Sequence, residues 1–432
     1  MLPESFSFGY NHKMDKIRNK PLPVIFFTVF VDLIGFGILI PVVPLLLADP
    51  ESSYFLLPKG FTVNQGYIML GFLTAMFPLM QFLAAPILGQ LSDKFGRKRI
   101  LAISLFGTCL SYLIFAYAIL TRNIPLLFAA RAFDGITGGN IAVAQAAIAD
   151  VTTPANRAKN FGLIGAAFGL GFILGPYIGG KLSDPTVVSW FGATTPFLFA
   201  AALSFLNVLS VLFIFPETIK VKIKHIGIKW TKSIRNVVKA YTMPELRPLF
   251  ASIFLFQAGF SFFVTFMSVY LITRFGFSQG NIGDYFSYVG LWVAFTQAVV
   301  TRLVARRFVE YQVLRVTLLT MGLVMLLYFL PTVWWQLLFI APLFAIFNGL
   351  SQANSAGLVS RSVDSTIQGE ILGINASVQA LAQAVPPMLS GFIAAELSPE
   401  MPILVGSAVI ISGWVVFLLF HKPKHVIHQP ET

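Results

Sequence analysis

Charged residues are scarce in this chain. They make up 11% of its 432 residues, whereas soluble domains carry roughly 25%. Hydrophobic residues make up 56%, and the mean hydropathy is +0.78. So few charges cannot cover a water-facing surface of this size. This excludes a soluble globular protein and predicts a protein whose solvent is the lipid bilayer.

Residues for covalent and metal chemistry are also few. The only cysteine, Cys109, lies within the third predicted span, which excludes an intrachain disulfide. The five histidines lie in the termini or the central loop: His12, His225, His421, His425 and His428. The sequence has no Walker phosphate-binding motif and no HExxH or paired-cysteine metal motif. These absences exclude an ATP-driven pump in this chain alone, and they predict that it is not an enzyme and holds no metal or cofactor.

Long apolar runs dominate what is present. Twelve runs of about 18 residues or more each predict a membrane-spanning helix, and they lie near 22–48, 65–88, 100–121, 124–150, 158–182, 192–216, 247–274, 281–303, 313–331, 333–360, 369–395 and 402–421. The short alternating segments of a membrane β-barrel are not found. The first twenty residues lack the apolar core of a signal peptide, so we expect the first span to be retained. The predicted class is an all-α polytopic membrane protein.

The distribution of Lys and Arg predicts the orientation of these spans. Of 30 basic residues, one lies within a span and the predicted external loops hold only four: Lys59, Arg122, Lys181 and Arg274. Basic residues mark cytoplasmic loops, so both termini are predicted to be cytoplasmic. The net charge of +12 is therefore a topology signal, and we expect no nucleic-acid partner because no folded domain presents the charges.

The longest internal loop, 217–246, divides the spans six and six. Sliding the first half onto the second by 211 residues aligns Gly138 with Gly349, Gly162 with Gly373, Pro176 with Pro387 and Gly180 with Gly391. This weak repeat predicts two pseudo-symmetric six-helix bundles, 1–216 and 247–432.

The dividing loop contains an amphipathic pattern. One helical face would carry Trp230, Ile234, Val237, Val238 and Tyr241, while Lys232, Arg235 and Lys239 fall elsewhere. Such a segment either lies flat on the anionic inner leaflet or forms a solvated linker, and the sequence leaves both interpretations open.

Ionisable residues inside predicted spans are functional candidates, because a charge at the bilayer centre costs roughly 2.5–3.5 kcal/mol even on insertion scales. Three lie well within spans: Asp32, Arg131 and Asp134. Asp32 has no basic neighbour on its own helix, so it is either a proton- or substrate-coupling carboxyl or a neutral, hydrogen-bonded structural one. Arg131 and Asp134 share a helical face and can pair. Asp134 is therefore either a structural counter-ion or a second proton site.

Uncharged polar residues predict a cavity within the bundle, because amides in lipid must find partners. They lie within spans 4, 7, 10 and 11, and they are Gln145, Gln257, Asn348, Gln352, Ser355, Asn375, Gln379 and Gln383. Contacts between neighbouring helices are the alternative role and would account for about half of them.

A cluster of charge separates spans 2 and 3 in the stretch GQLSDKFGRKR, residues 89–99. We expect Gly89 and Gly96 to permit a sharp reversal and close helix approach, and the basic residues to anchor the turn at the cytoplasmic side. Anchoring leaves Asp93 unexplained. Asp93 and Arg97, with charges at the ends of spans 4 and 10, are candidates for a salt-bridge network that closes the inner mouth; these charges are Asp150, Arg157, Arg361 and Asp364.

The stretch 89–99 resembles the signature loop of the major facilitator superfamily. Arg131-x-x-x-Gly135 in span 4 resembles an element of its proton-coupled members, and GFILGPYIGG, residues 171–180, resembles the span 5 element of its drug/proton antiporters. The tetracycline/proton antiporters are similar over FVDLIGFGILIPVVPLL in span 1, over IADVTTPANRAKNFG and at the closing FPET. The second-half counterpart of the signature loop, TRLVARRFVEYQVL, lacks the Asp-x-x-Gly core. We therefore expect the salt-bridge network to act as a latch on the inner mouth from the first half only.

The resemblance implies a monomeric secondary transporter that works by alternating access in a bacterial inner membrane. It places Asp32 at the proton-coupling Asp of span 1 and Arg131 in the proton pathway. The span 5 residues Gly171, Gly175, Pro176, Gly179 and Gly180 would pack where the two halves meet and control leak, although ordinary helix packing also explains them. It also implies that the latch holds the outward-open state.

The expected function is export of an amphipathic small molecule in exchange for protons, driven by the proton gradient. Tetracycline itself is doubtful, because Ser111, Val293 and Met321 stand where the tetracycline antiporters carry Asp, His and Asp, and Asp134 stands where they carry an apolar residue. The alternatives are proton-coupled or facilitated transport of a metabolite, siderophore or lipid, and a non-transporting sensor of the same fold.

Overall fold

The computed structural model describes residues 21–152, 157–219, 228–363 and 368–421. Within these ranges every regular element is helical. The helices are α1 Pro21–Leu47, α2 Val63–Phe95, α3 Arg97–Leu120, α4 Ile124–Thr137, α5 Asn140–Val151, α6 Arg157–Ser183, α7 Thr195–Phe213, α8 Lys232–Thr242, α9 Arg247–Phe275, α10 Gln279–Phe295, α11 Thr301–Ala305, α12 Glu310–Leu327, α13 Leu337–Arg361, α14 Gln368–Glu396 and α15 Met401–Phe420. A π-helical turn joins α10 to α11, and a short 3₁₀ turn precedes α13.

Ten helical segments in the described ranges are long and apolar enough to cross a membrane. α6 has 27 residues, also sufficient in length for a bilayer core of about 30 Å. The predicted fourth span consists of two shorter helices, α4 and α5. The prediction of an all-α polytopic membrane protein is confirmed, and the helices follow the twelve predicted spans.

The chain forms two compact units. The first holds the described residues of Met1–Val42, Met80–Trp230 and Gln279–Asp284, and the second those of Val43–Leu79, Thr231–Ser278 and Tyr285–Thr432. This division differs from the predicted halves at two places. The start of α10, Gln279–Asp284, belongs to the first unit, and Val43–Leu79, from the last turn of α1 to the middle of α2, belongs to the second.

Glycines explain why the start of α10 belongs to the first unit. A Cβ added to Gly180 of α6 would lie 2.5 Å from the carbonyl oxygen of Gln279 and 3.0 Å from Cα of Gly283. A Cβ on Gly283 would lie 2.7 Å from the carbonyl oxygen of Pro176. The backbones of α6 and α10 therefore touch, which only small residues permit.

The second unit repeats this contact between α2 and α14. A Cβ on Gly71 would lie 2.3 Å from the carbonyl oxygen of Pro387, and one on Gly391 would lie 2.9 Å from Cα of Ile68. Pro387 and Gly391 are the residues that the 211-residue offset pairs with Pro176 and Gly180. The internal repeat is thus visible as two equivalent proline–glycine contacts.

Candidate functional site

The fourth predicted span is interrupted in its middle. α4 ends at Thr137 and α5 begins at Asn140, with Gly138 and Gly139 between them. With 14 and 12 residues, each helix is too short to span about 30 Å alone. Gly138 and Gly139 keep right-handed helical backbone angles, with φ −65° and ψ −4° and −1°. The interruption is therefore a local loosening of the helical hydrogen bonds within a predicted span.

Residues of α2 support the break. The Gln81 side-chain amide donates to the Gly138 carbonyl over 2.7 Å, and so satisfies a backbone oxygen that the interruption releases. One turn further along α2, Ala85 lies so close that a Cβ on Gly139 would be 2.9 Å from its Cα. The break is therefore a packed feature of the first unit.

Arg131 and Asp134 form a buried ion pair on α4. The guanidinium Nη1 lies 2.8 Å from Asp134 Oδ2, and the two residues are 3% and 4% exposed. The second carboxyl oxygen of Asp134 accepts a hydrogen bond from Ser111 Oγ of α3 at 3.2 Å. The predicted pairing is confirmed, and both Asp134 oxygens are engaged.

The Asp32 carboxyl has a different environment. Both of its oxygens are buried, and neither has a hydrogen-bond partner among the described residues. Asn140, the first residue of α5, lies beside this carboxyl, and its own amide oxygen and nitrogen are likewise buried without a partner in the described ranges. A carboxyl group and an amide in this state form a site that can take up a proton or a polar group of a ligand.

Tyr112 completes the site from α3. Its hydroxyl lies against Gly35, where a Cβ would come within 1.8 Å of it, so only glycine fits one turn after Asp32. Tyr112 is 4% exposed and interacts electrostatically with Asp134, Asp32 and Arg131. The first unit therefore brings all three predicted intramembrane charges into one buried cluster.

Sequence reasoning missed three members of this cluster: Gln81, Tyr112 and Asn140. The Gly138-Gly139-Asn140 sequence inside an apolar run was a usable signal for the break, because two consecutive glycines weaken a helix. Tyr112 gives no such signal, since its approach to Gly35 depends on how α3 packs against α1.

The predicted cavity residues fall into separate environments. Gln257 and Gln352 exchange side-chain hydrogen bonds at 2.9 and 3.1 Å within the second unit. Asn348 and Asn375 are buried, and each has an amide oxygen without a partner in the described part of the chain. Gln379 is half-buried, whereas Gln145 and Gln383 are exposed. The Gln257–Gln352 pair is the helix-to-helix contact that the alternative interpretation anticipated.

The glycine strip of α6 packs on the segment of α1 that follows Asp32. A Cβ on Gly171 would lie 2.5 Å from Leu33 Cβ, and one on Gly175 would lie 2.8 Å from Gly37 Cα. The same holds at Gly179, where a Cβ would lie 2.6 Å from a carbonyl oxygen of α1. This close backbone packing fixes the position of α1, and with it the Asp32 carboxyl.

The charged stretch 89–99 contains the end of α2, the start of α3 and the single residue between them, Gly96. Gly96 has φ 104° and ψ 149°, a region that is essentially limited to glycine. The expectation for Gly89 is wrong: it lies inside α2, and a Cβ there would meet open space. Gly96 alone reverses the chain, so α2 continues straight through Gly89.

We predict that Gly96→Ala destabilises the protein by about 1–3 kcal/mol, because alanine cannot adopt this backbone conformation without strain. Gly89→Ala is the matched control and should be neutral or slightly stabilising, because alanine favours an open helical position. Thermal unfolding of the two purified variants in detergent compares them. Equal unfolding temperatures would contradict the assignment of the turn to Gly96.

Arg97 is the centre of an ionic network at this turn. Its guanidinium contacts Asp93 at 2.6 Å and Asp150 at 3.0 Å, and its backbone N–H donates to Glu217 at 2.8 Å. The network joins α2, α3, the end of α5 and the segment after α7, all within the first unit. Asp93 is thus explained as a partner of Arg97.

The remaining charges of the predicted latch are elsewhere. Arg361 pairs with Glu310 at 3.0 Å within the second unit, a partner that the sequence did not indicate. The Arg157 side chain and Asp364 lie outside the described residues. The closing of the inner mouth by this network stays a prediction.

Comparisons with known proteins agree with this architecture. Residues 25–385 match the family model described as Major Facilitator Superfamily. The class H tetracycline resistance protein of Pasteurella multocida is 31% identical over 422 residues, 95% of this chain and 100% of that protein. The class C tetracycline resistance protein of Escherichia coli is 33% identical over 371 residues, 86% of this chain and 89% of that protein.

The fold also agrees with a solved structure. The human organic anion transporter MFSD10 superimposes with a TM-score of 0.70 at 23% identity, covering 93% of this chain and 99% of that one. At this identity the likeness concerns the fold alone. Together with the family match and the tetracycline resistance relatives, it leads to one assignment: the chain belongs to the Major Facilitator Superfamily of membrane transporters and is not an enzyme.

Proposed function

We propose that this transporter exports amphipathic small molecules in exchange for protons, by alternating access. The observation that carries the proposal is the buried Asp32 carboxyl, which has no hydrogen-bond partner among the described residues. Relatives that are named tetracycline resistance proteins, 31% and 33% identical, support the direction of transport and the substrate class.

Asp32 is suited to carry the proton because its charge is only partly compensated locally. Burial makes the ionised carboxylate costly, and the neighbouring Asn140 amide offsets only part of that cost. Protonation removes this cost, and a bound substrate that supplies a donor or a positive charge would do the same. Proton and substrate would therefore compete for one group, which is the requirement for exchange.

Arg131 and Asp134 would set the electrostatic background of that exchange. Their 2.8 Å ion pair and the hydrogen bond from Ser111 hold Asp134 as a counter-ion. The pair keeps a positive group within the same cluster without an isolated charge in the bilayer. We therefore assign the proton to Asp32 and a structural role to Asp134.

The substrate class is broader than tetracycline in this proposal. The positions where the tetracycline antiporters carry His and Asp in the second half hold Val293 and Met321, and Met321 is fully buried. The second half therefore lacks the charged groups of the tetracycline antiporters at these positions, and the buried amides of Asn348 and Asn375 remain as candidate hydrogen-bonding groups. This favours amphipathic compounds as a class.

The setting follows from the same proposal. The transporter would act as a monomer in the inner membrane of a bacterium, with both termini in the cytoplasm, as the distribution of Lys and Arg predicts. The proton gradient would be its energy source, and no cofactor would be required.

Accumulation in everted membrane vesicles tests the direction and the substrate class. When the interior is made acidic, an exporter should concentrate tetracycline or another amphipathic compound inside, and a protonophore should abolish the accumulation. Uptake only into right-side-out vesicles would instead support the alternative, import of a metabolite with protons. Binding without movement in either orientation would support a sensor.

A further inference from the structure

The short helix α8, Lys232–Thr242, is not part of the proposed transport site. It begins two residues after Trp230 and precedes α9, which begins at Arg247. One face of α8 packs against the rest of the second unit, and its residues Ser233 and Ala240 are buried. The helix is therefore a fixed element of the structure, and its other faces have defined directions.

Polar contacts attach α8 to the beginning of α14. The Asn236 side chain donates to Ser377 Oγ at 3.1 Å, and Lys239 forms an ion pair with Glu370. Glu370 and Ser377 are seven residues apart on α14, so α8 follows the first turns of that helix. Since α14 is one of the membrane-crossing segments, α8 lies next to the point where a span begins.

A second face of α8 is apolar and exposed. Ile234 is 52% exposed, Val238 55% and Tyr241 69%, and Trp230, two residues before the helix, is 69% exposed. At 100° per residue, the side chains at 234, 238 and 241 project within about 60° of one another. The Arg247 guanidinium lies 5.3 Å from the centre of the Tyr241 ring, yet each of these four large side chains stays more than half exposed. Water is an unfavourable environment for such a row.

A third face is basic. At 100° per residue, Arg235 projects about 60° from Val238 and Lys232 about 120° from it, and both are exposed. The described segment from 229 to 247 contains five basic residues against one acidic residue: Lys229, Lys232, Arg235, Lys239 and Arg247 against Glu245. Basic residues bordering an apolar row distinguish a helix that lies in a lipid interface from one that binds a neutral protein groove.

We propose that α8 binds the bilayer surface, with its apolar row inserted at the headgroup boundary and with Lys232 and Arg235 on the phosphates of anionic phospholipids. Charge complementarity selects this partner, since each Lys or Arg near an anionic leaflet strengthens binding about fivefold. The other two arrangements, a water-exposed helix and a helix covered by a protein, would not require both the apolar row and the basic border.

The contacts with α14 give the lipid interaction a consequence inside the protein. Asn375 lies on α14 between Glu370 and Ser377, the two residues that α8 contacts. Insertion of α8 into the lipid interface would therefore act on the first turns of α14, the span that carries the predicted cavity residue Asn375. Lipid composition is then expected to affect transport through α14.

Trp230 fluorescence tests the binding surface without any transport substrate. The full chain would be placed in nanodiscs of zwitterionic or anionic phospholipid, with brominated acyl chains as the quencher. Subtracting the emission of Trp230→Phe from the emission of the unmodified protein isolates Trp230 from the other five tryptophans. We expect most of the Trp230 emission to be lost with brominated lipid, and more strongly in anionic bilayers.

Two paired variants test the role of the charges. Lys232→Gln with Arg235→Gln should remove the difference between anionic and zwitterionic bilayers. Lys98→Gln with Arg99→Gln removes two charges next to the turn at Gly96 and should leave the difference intact. Trp230 emission that is unaffected by brominated lipid would overturn the proposal and indicate water or a protein partner. Equal quenching in both lipids would overturn the assignment of anionic headgroups.

Discussion

Asp32→Asn is expected to reduce accumulation of substrate against its gradient to the level of empty vesicles, while exchange of substrate down its gradient continues. Asparagine has nearly the same shape as aspartic acid but cannot bind and release a proton at neutral pH. The variant therefore resembles a permanently neutral Asp32, which permits the conformational cycle but removes the coupling. The buried, unpartnered carboxyl oxygens predict that folding tolerates this change.

Two assays on the same proteoliposomes separate coupling from movement. Accumulation driven by a pH gradient measures coupling, and exchange of labelled for unlabelled substrate without a gradient measures movement. Asp284→Asn is the matched control, because it removes a carboxyl that is 51% exposed and pairs with Lys181. Normal accumulation by Asp32→Asn would show that another group carries the proton.

Asp134→Leu is expected to be the most damaging single substitution in the same cluster. It leaves the Arg131 guanidinium, 3% exposed, as a buried charge without its carboxylate. Breaking a buried ion pair in this way costs about 3–5 kcal/mol. We expect little folded protein in the membrane and no transport by the fraction that folds.

A second substitution should rescue this variant. Ser111 Oγ lies 3.2 Å from Asp134 Oδ1, so a carboxylate at 111 would occupy nearly the same place on the opposite helix. The tetracycline antiporters, which this chain resembles, carry Asp at the position of Ser111 and an apolar residue at that of Asp134. Because the two positions are in contact, a carboxylate at either one can lie beside Arg131. It comes from α4 in this chain and would come from the helix equivalent to α3 in the antiporters.

The double variant Ser111→Asp with Asp134→Leu should recover folded protein and transport. Ser111→Asn with Asp134→Leu has a side chain of the same size without the charge and should not recover either. Membrane abundance, thermal unfolding and vesicle accumulation measure the outcome. Rescue by Asn as well as by Asp would show that size matters at this position and that charge does not.

Features that depend on local sequence were predictable. The length of the apolar runs predicted the spans, and the three-residue spacing of Arg131 and Asp134 predicted their ion pair. The glycine periodicity of α6 gave a close-packed strip, although its partner, α1, could not be derived from periodicity. The amphipathic pattern around Ile234 gave a helix whose bounds the structure places at Lys232–Thr242.

Features that depend on contacts between distant segments were not predictable. The hydrogen bond from Gln81 to Gly138 joins residues 57 positions apart, and the one between Ser111 and Asp134 joins neighbouring helices. For Gly89 the local sequence predicted a role that the structure does not show. Its place beside a charged turn suggested a role in the reversal, but the conformation that requires glycine occurs only at Gly96. Backbone conformation and packing decided these cases, and residue type alone does not encode them.

Substrate-dependent proton flux tests the central claim most directly. Purified protein would be reconstituted into liposomes that contain a pH-sensitive dye, a proton gradient would be imposed, and amphipathic compounds, tetracycline among them, would be added one at a time. The account predicts a proton flux that requires both a transported compound and Asp32, so that Asp32→Asn abolishes it. A compound that crosses the membrane with no proton movement, or an Asp32→Asn variant that couples normally, would contradict it.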